Sequence, residues 1–463
     1  MSEAIRNQLQ KFDQSHLVQF WDELSSEAQA SLQQQIEAID LEQVGQLFRG
    51  HDSALDWKEI ATQAQPPNAI RLGQPSPLFL VEDARSAGEE ALRGGKIGML
   101  LVAGGQGSRL GFDQPKGMFP IGPISGRTLF QMLCDRLAAL GQKFGRVIPL
   151  YIMTSPATDK ATREYFAREG YCGLEEKQIQ FFCQGQMPAV DTQSGKILMT
   201  AKDEIALSPD GHGGIISALN ESGCLQDADS RGIEHFYYAQ IDNPLAELCD
   251  PLLLGYHLLA TSQITTQVVS KRFAKEKVGN VVAIDGKVQI IEYSDLPDSV
   301  AEQMDADGGL RLWAGNIAIH VFELAFLKSI SQHGNGLPFH RAIKKVPFLD
   351  EAGRSVSPQE PNATKFERFV FDLLPLADRA LVVEGDASRV FAPVKNADGA
   401  SVDTPELARQ AILRLHQEWL EEAGARIDDG VRVEIHPRWA LDEAEVDEKI
   451  DESVHFTADT FLM

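Results

Sequence analysis

The chain has 463 residues, with 43 Lys plus Arg against 67 Asp plus Glu and a net charge of −24. This length exceeds one ordinary hydrophobic core, and 43% hydrophobic with 24% charged residues excludes a largely disordered or collagen-like chain. The acidic balance argues against broad binding to nucleic acid or to an anionic membrane, though not against one small basic pocket. Cys134, Cys172, Cys183, Cys224 and Cys249 are widely spaced with no C-x-x-C pair. Neither a disulfide framework nor a thiolate zinc site is expected, and the five read mostly as reduced, buried apolar residues. Met1-Ser2-Glu3-Ala4-Ile5-Arg6 carries no apolar stretch behind a basic start, and no run approaches the ~20 apolar residues of a membrane span. A cytoplasmic protein is expected.

Leu9, Phe12, Leu17, Phe20, Trp21 and Leu24 fall at helical spacing, as do Leu32, Ile36, Ile39, Val44 and Leu47. Ser26 and Gln29 have capping-box spacing, which predicts a helix start at Ser26. The stretch from Pro66-Pro67 to Pro75-Ser76-Pro77 reads as a linker or an irregular wrap. From Lys96 the pattern changes. Ile97–Ala103 is a glycine-bounded apolar run that suits a buried parallel strand. After a Gly-rich loop, Thr128 and Gln131 predict a capped helix ending at Gly141. Val147–Met153 reads as a strand, residues 158–168 as a helix, and Phe236–Ile241 as a strand delivering Asp242-Asn243 to its carboxyl end. Val281–Ile284 and Val288–Ile291 flank Asp285-Gly286 as a hairpin. Leu441 to Glu452 carries seven acidic residues and one Lys and reads as a solvated acidic face.

This alternation implies an α/β chain built on a doubly wound sheet, with ligands at the strand carboxyl ends. The expected division is an N-terminal helical segment and linker over 1–80, an α/β body over 81–380, and a small C-terminal α+β unit with the acidic tail over 381–463.

The most informative segment is Ala103-Gly104-Gly105-Gln106-Gly107-Ser108-Arg109-Leu110-Gly111, running on to Gln114-Pro115-Lys116-Gly117-Met118. Glycines directly after a buried strand let the backbone approach a ligand, and their amides can hold phosphate oxygens. Arg109 can fork onto two oxygens and Lys116 can add a point charge, so both can converge on one polyphosphate. The loop is not Walker A, which needs G-x-x-x-x-G-K-[ST]. Nor is it the dinucleotide fingerprint, since Gly105, Gly107 and Gly111 give G-x-G-x-x-x-G.

G-G-x-G-[ST]-R-L-G, with P-K seven residues after the Arg, resembles the signature of the UTP-dependent nucleotide-sugar pyrophosphorylases. Within that family the chain is most similar to the UDP-N-acetylhexosamine pyrophosphorylase group, over about Leu101 to Arg409. The resemblance implies a Rossmann-like, GT-A-like nucleotidyltransferase fold with a mixed sheet. It also implies Arg109, Lys116 and Lys365 as catalytic cations, with Ala103, Gly104 and Gly105 at the nucleotide. Phe181-Phe182-Cys183-Gln184-Gly185 looks like the segment whose Gln reads the uracil edge; an amide offers the donor and acceptor that O4 and N3–H require. Pro209-Asp210-Gly211-His212-Gly213-Gly214 resembles the P-D-G-N-G-G loop, implying nucleoside contacts from Gly211 and His212. His212 departs from the usual Asn, and related UDP-glucose enzymes often carry His there.

Asp242 matches the family's V-D-N aspartate, which implies a hard cation, Mg²⁺ or Mn²⁺, completed by phosphate oxygens and water. Gly279, Glu292 and Asn316 match sugar-side segments in order. Phe369 and Phe371 resemble the wall near the N-acetyl group, and Lys395 resembles a second phosphate-binding Lys. The implied reaction joins UTP to a sugar 1-phosphate, first N-acetylglucosamine 1-phosphate, with release of pyrophosphate. UDP-glucose or broad UDP-sugar formation is the alternative. A UDP-sugar glycosyltransferase usually wants D-x-D where this chain has Asp242-Asn243-Pro244, and a non-catalytic sensor would not need Arg109, Lys116 and Lys365. No nucleic-acid or membrane partner is expected.

Overall fold

The computed structural model describes residues 2–50, 57–74, 79–332, 336–451 and 453–463. The chain forms two compact units that share the sequence discontinuously. The first comprises residues 1–56, 184–217 and 335–372; the second comprises residues 57–183, 218–334 and 373–463. Pro75, Ser76 and Pro77 of the expected linker lie outside the described residues.

The first unit begins with α1 (Glu3–Lys11), α2 (Ser26–Glu37) and α3 (Leu41–Arg49). The cap of α2 is Ser25 rather than Ser26: the Ser25 hydroxyl accepts from the Ala28 amide, while the Gln29 side chain donates to Trp21 O instead of closing a box. Leu9, Leu17, Trp21, Leu32 and Ile36 pack on Met187, Val190, Ile197, Met199 and Phe366. Gln14 pins the register, donating to Gly195 O and accepting from the Ile197 amide. An antiparallel sheet of Phe339–Lys344, Ala363–Arg368 and Val190–Asp191 completes this unit.

The second unit is built on a ten-stranded mixed sheet: β1 (Ala69–Ile70), β2 (Ile97–Val102), β3 (Leu150–Thr154), β4 (Ile179–Cys183), β5 (His235–Gln240), β6 (Ile264–Ser270), β7 (Asn280–Ile284), β8 (Lys287–Ile291), β9 (Ala314–Glu323) and β10 (Ala380–Glu384). The order is β1-β10-β6-β9-β5-β2-β3-β4, with the β7–β8 hairpin joined to β9. Within that path β9 alone runs antiparallel to its neighbours. The carboxyl ends of β2 and β5 therefore share an edge, and the amino end of β9 lies at the same edge. Asp285 and Gly286 turn the hairpin at φ 50° and 76°, the conformation of a two-residue type I′ turn.

Helices flank the sheet. The Thr128–Gln131 capping box forms as expected at the start of α4 (Leu129–Phe144), but the helix passes Gly141 and ends at Gly145, which takes the left-handed conformation. A helix at Val81–Arg93 crosses one at Pro251–Leu259 backbone to backbone. A Cβ at Gly88 would stand 1.9 Å from Pro251 O, and one at Gly255 1.6 Å from Ala84 O.

The acidic tail is less solvated than its composition suggests. Lys143 spans Asp442 and Glu445 at 3.0 and 2.7 Å, and Arg389 meets Glu443 at 2.7 Å. Cys183 is exposed while the other four cysteines are buried, all as free thiols. Among the described residues no helix is long and apolar enough to cross a membrane.

Candidate active site

The Gly-rich loop leaves the carboxyl end of β2 and folds back on itself. The Gly107 amide donates to Gln114 O at 2.9 Å and the Lys116 amide to Gly105 O at 3.0 Å. The Ser155 hydroxyl holds Gly104 O at 2.7 Å. A Cβ at Gly107 would collide with Phe112 at 2.7 Å, so packing requires that glycine; at Gly105 it would meet nothing within 4 Å. Gly105 therefore has no steric reason inside the protein, which fits a position kept open for close approach of a ligand. The amides of Gly104 and Gly105 donate to no described residue. Ala103 is buried at the strand end.

Arg109, on a single turn at Ser108–Leu110, is exposed and forms no ion pair with a described carboxylate. Lys116 turns the other way, its Nζ 3.5 Å from Asp242 Oδ2.

Asp242 stands two residues past β5. Its carbonyl accepts from the Val394 amide at 2.8 Å. The Asn243 side chain clamps the same passing segment, donating to Val390 O and accepting from the Ala392 amide. Lys395 is thereby brought beside this loop, and its amide donates to Asp403 O at 2.8 Å. Burial raises the Asp403 carboxyl, while Lys395 and Arg272 pull it down and Glu276 and Asp242 push it up; these charges gather in one region. Among the described residues no group of three His, Cys, Asp or Glu side chains could hold a metal ion. Asp242 is a single carboxylate whose described ionic partner is one Lys. That suits a Mg²⁺ site completed by substrate phosphates and water rather than an all-protein cage.

Three residues expected on the sugar side meet in the second unit. A Cβ on Gly279 would come 3.4 Å from Glu292 Oε1 and 3.6 Å from Asn316 Cβ, and the Asn316 amide donates to Gly279 O at 2.8 Å. Sequence reasoning missed how Asn316 is aimed. The pairing of β6 with β9 jumps from Gln267–Ile319 to Val268–Asn316, leaving Ile317 and Ala318 as a bulge. Ala318 sits at φ 57°, and Asn316 Oδ1 accepts its amide at 3.0 Å. Bulges re-aim side chains beside functional sites. Lys271 was also missed: it is 8% exposed, and its ammonium donates to Asn280 Oδ1, with burial lowering its pKa. No spacing rule marks such a lysine.

In the first unit Gln184 is 8% exposed. The loop at 209–214 is tightly built. A Cβ on Gly211, at φ 84°, would lie 2.4 Å from Arg368 O, and one on Gly214 2.3 Å from Asp210 Oδ1. Asp210, inside the quoted motif yet not singled out, thus wedges the loop; its amide donates to Gly185 O. His212 Nδ1 accepts from the Val370 amide at 3.1 Å, which leaves the neutral ring with a proton on Nε2. Burial, then the His340 imidazole, pushes its pKa down to about 4. Its ring lies 5.4 Å from Phe369 and 5.8 Å from Phe371, which stack on each other at 4.9 Å. The expected nucleoside residue and the expected sugar wall are therefore neighbours. Lys365 lies on Ala363–Arg368, half-buried, with no ion pair to a described carboxylate.

The family model described as UTP–glucose-1-phosphate uridylyltransferase matches residues 44–422. UDP-N-acetylhexosamine pyrophosphorylase-like protein 1 of Homo sapiens is 36% identical over 440 residues, covering 92% of this chain and 86% of the relative. UDP-N-acetylglucosamine pyrophosphorylase of Saccharomyces cerevisiae is 37% identical over 443 residues, covering 91% and 92%. The crystal structure of the uridine diphosphate N-acetylglucosamine pyrophosphorylase from Trypanosoma brucei superimposes with a TM-score of 0.82 at 26% identity, over 99% of both chains.

Proposed function

Because the chain belongs to the UTP–glucose-1-phosphate uridylyltransferase family and is a nucleotidyltransferase, we propose that it forms UDP-N-acetylglucosamine and pyrophosphate from UTP and N-acetylglucosamine 1-phosphate. The observation that carries this reading is the loop after β2: Gly105 with open space beside it, Arg109 with no ion pair to a described carboxylate, and Lys116 3.5 Å from Asp242. A phosphate oxygen of the sugar phosphate attacks the α-phosphorus of UTP as the bond to pyrophosphate breaks. The attacking oxygen is already anionic, so the chain supplies position and charge rather than a strong base. Arg109 neutralises the departing pyrophosphate, and Lys116, Lys365 and Lys395 hold phosphates. The backbone at Ala103, Gly104 and Gly105, with Gln184, Gly211 and His212, binds the nucleoside. Gly279, Glu292, Asn316, Phe369 and Phe371 bind the sugar. Asp242 would hold Mg²⁺ or Mn²⁺, which supplies charge neutralisation at the phosphates when bound. Phosphoanhydride bonds are both broken and formed, so the reaction runs in either direction, in the cytoplasm.

His212 favours one second reading, a UDP-glucose or broad UDP-sugar pyrophosphorylase. Pyrophosphate release from UTP and Mg²⁺ with N-acetylglucosamine, N-acetylgalactosamine, glucose and galactose 1-phosphates decides between them. Release with N-acetylglucosamine 1-phosphate is expected. Release with glucose 1-phosphate alone would transfer the assignment, and release with none would end it.

A further inference from the structure

A cavity of about 80 Å³ lies in the second unit, walled by α4, the segment after Asp242, and the chain from residue 412 to 437. Its lining includes Arg136, Glu247, His416 and Trp419. None of these residues belongs to the proposed transfer site. Three of them offer donors that the described residues leave unused. Arg136 makes no hydrogen bond or ion pair with a described residue, and its Nε is fully shielded from solvent. Trp419 is 6% exposed, and its indole N–H is likewise buried, with no partner among the described residues. His416 Nδ1 accepts from the Ile435 amide, so its neutral ring carries the remaining proton on Nε2. Burial and then Arg136 hold this ring neutral, with a pKa of about 3.

The acids on the lining do not cancel Arg136. Glu434 is consumed by the Ile124 and Ser125 amides and the Ser125 hydroxyl. Asp135 is matched by Arg127 and His436. Glu247 forms no ion pair with a described residue. Burial and Asp250 raise its carboxyl to about 7 against the pull of Arg136, Arg389 and Arg85, so near neutrality it offsets the guanidinium charge only in part. Buried donors without partners are uncommon and call for a ligand, ion or water. The space holds more than one water and accommodates a tetrahedral oxyanion.

We propose that this cavity is a binding site for a small oxyanion, held by the Arg136 guanidinium with the indole N–H of Trp419 and the Nε2–H of His416. A charged fork and two fixed neutral donors suit phosphate or a small carboxylate better than a cation or an apolar molecule. The site borders the chain that carries Asp242: Asn243, which clamps Val390 and Ala392, is also on its lining.

The test uses the full chain labelled with ¹⁵N, in which five tryptophans give five indole resonances. Inorganic phosphate and acetate are titrated separately at fixed ionic strength. The expected result is a saturable shift of the Trp419 indole, assigned through Trp419→Phe, that is absent in Arg136→Gln and weakened in Arg136→Lys. Saturation by acetate but not phosphate would place the ligand in the carboxylate class. A resonance unmoved by either anion, as a cavity filled by water alone would give, overturns the proposal. So does an equal shift in Arg136→Gln. Should Arg136→Gln fail to fold, calorimetric titration of Trp419→Phe with phosphate replaces it. Binding weakened at least fivefold is expected, and unchanged affinity overturns the site. Arg136→Gln should keep uridylyl transfer within about twofold with neither inorganic phosphate nor acetate added, which separates this outcome from failure of the proposed reaction.

Discussion

Lys116 Nζ stands 3.5 Å from Asp242 Oδ2, with the two side chains only 17% and 14% exposed. The lysine reaches from the Gly-rich loop and the aspartate from the end of β5, so the pair ties the phosphate loop to the candidate cation site. If Asp242 holds the proposed divalent cation, that ion would compete with Lys116 and leave the ammonium free for a substrate phosphate. Asp242→Asn should therefore lower turnover by roughly 100-fold or more and raise the Mg²⁺ concentration needed for half-maximal rate. Lys116→Ala with Asp242→Asn should lose less than the product of the single losses, because the residues share one interaction. Steady-state Mg²⁺ titrations of the three variants measure this, and strictly multiplicative losses would dissociate the two roles.

Arg109 is exposed and lacks a carboxylate partner among the described residues. Its removal should cost little stability, while catalysis would lose the cation proposed for the leaving group. Arg109→Ala is expected to reduce kcat by about 10²–10³ and to leave UDP-sugar affinity within a few-fold. Rapid-quench turnover and calorimetric binding separate the two quantities. Unchanged turnover would remove Arg109 from the reaction.

Gly279 is the tightest point of the Glu292–Asn316 cluster. In Gly279→Ala the new Cβ would lie 2.7 Å from Ile290 Cγ2 and press toward Glu292 Oε1. Overpacking of this kind costs on the order of 1–3 kcal/mol. If the cluster holds sugar, the KM for the sugar 1-phosphate should rise about tenfold or more with the KM for UTP nearly constant. A rise in the UTP value alone would reassign the cluster.

Among the described residues burial lowers five histidines: His212 and His235 to about 4, His416 to about 3, His257 far below the ordinary 6.5, and His16 below it. Their folded pKa values lie under the unfolded value, so between about pH 6.5 and 4 the unfolded chain takes up protons that the folded chain refuses. Stability is greatest above pH 6.5 and falls through this window, by on the order of 1–3 kcal/mol each for His212, His235 and His416. Glu247 opposes this: its raised carboxyl contributes stability that is fully present below the unfolded value of 4.5 and is lost as pH rises to about 7. Urea midpoints should decline from pH 7.5 to pH 5, and more steeply in Glu247→Gln. A midpoint that climbs on acidification would contradict the assignment.

Much of the sheet could be read from local pattern. Ile97–Val102 is a continuous apolar run because both its faces are buried, and Asp285-Gly286 is a turn because both residues take positive φ. Local pattern failed where neighbouring residues offer the same chemistry. Ser25 and Ser26 both can cap, and the helix geometry selects Ser25. Gly141 resembles a helix stop, yet Phe144 is 7% exposed in the core and draws the helix on to Gly145. Ala69–Ile70 is too short to carry a period and exists because Val382 and Val383 lie beside it. The candidate site shows the same division. The glycines and cations of one loop are adjacent in sequence, so a candidate phosphate cradle is legible there. The meeting of Gly279, Glu292 and Asn316 depends on a hairpin, a bulge and a distant strand, and in sequence only their order along the chain suggested it.

The pairing of Ala69–Ile70 with Val382–Val383 also governs how the protein is made. Arg71 meets Glu384 at 2.6 Å across 313 positions of sequence. A ribosome adding roughly 5–20 residues per second leaves the first of these partners waiting on the order of 15–60 s for the second. Until Ala380–Glu384 emerges, Ile264–Ser270 has an uncovered edge, the kind of surface through which nascent chains associate. Translation that stalls before residue 380 should therefore release a sticky, protease-sensitive product, whereas a stall beyond residue 384 leaves this edge of the sheet already closed.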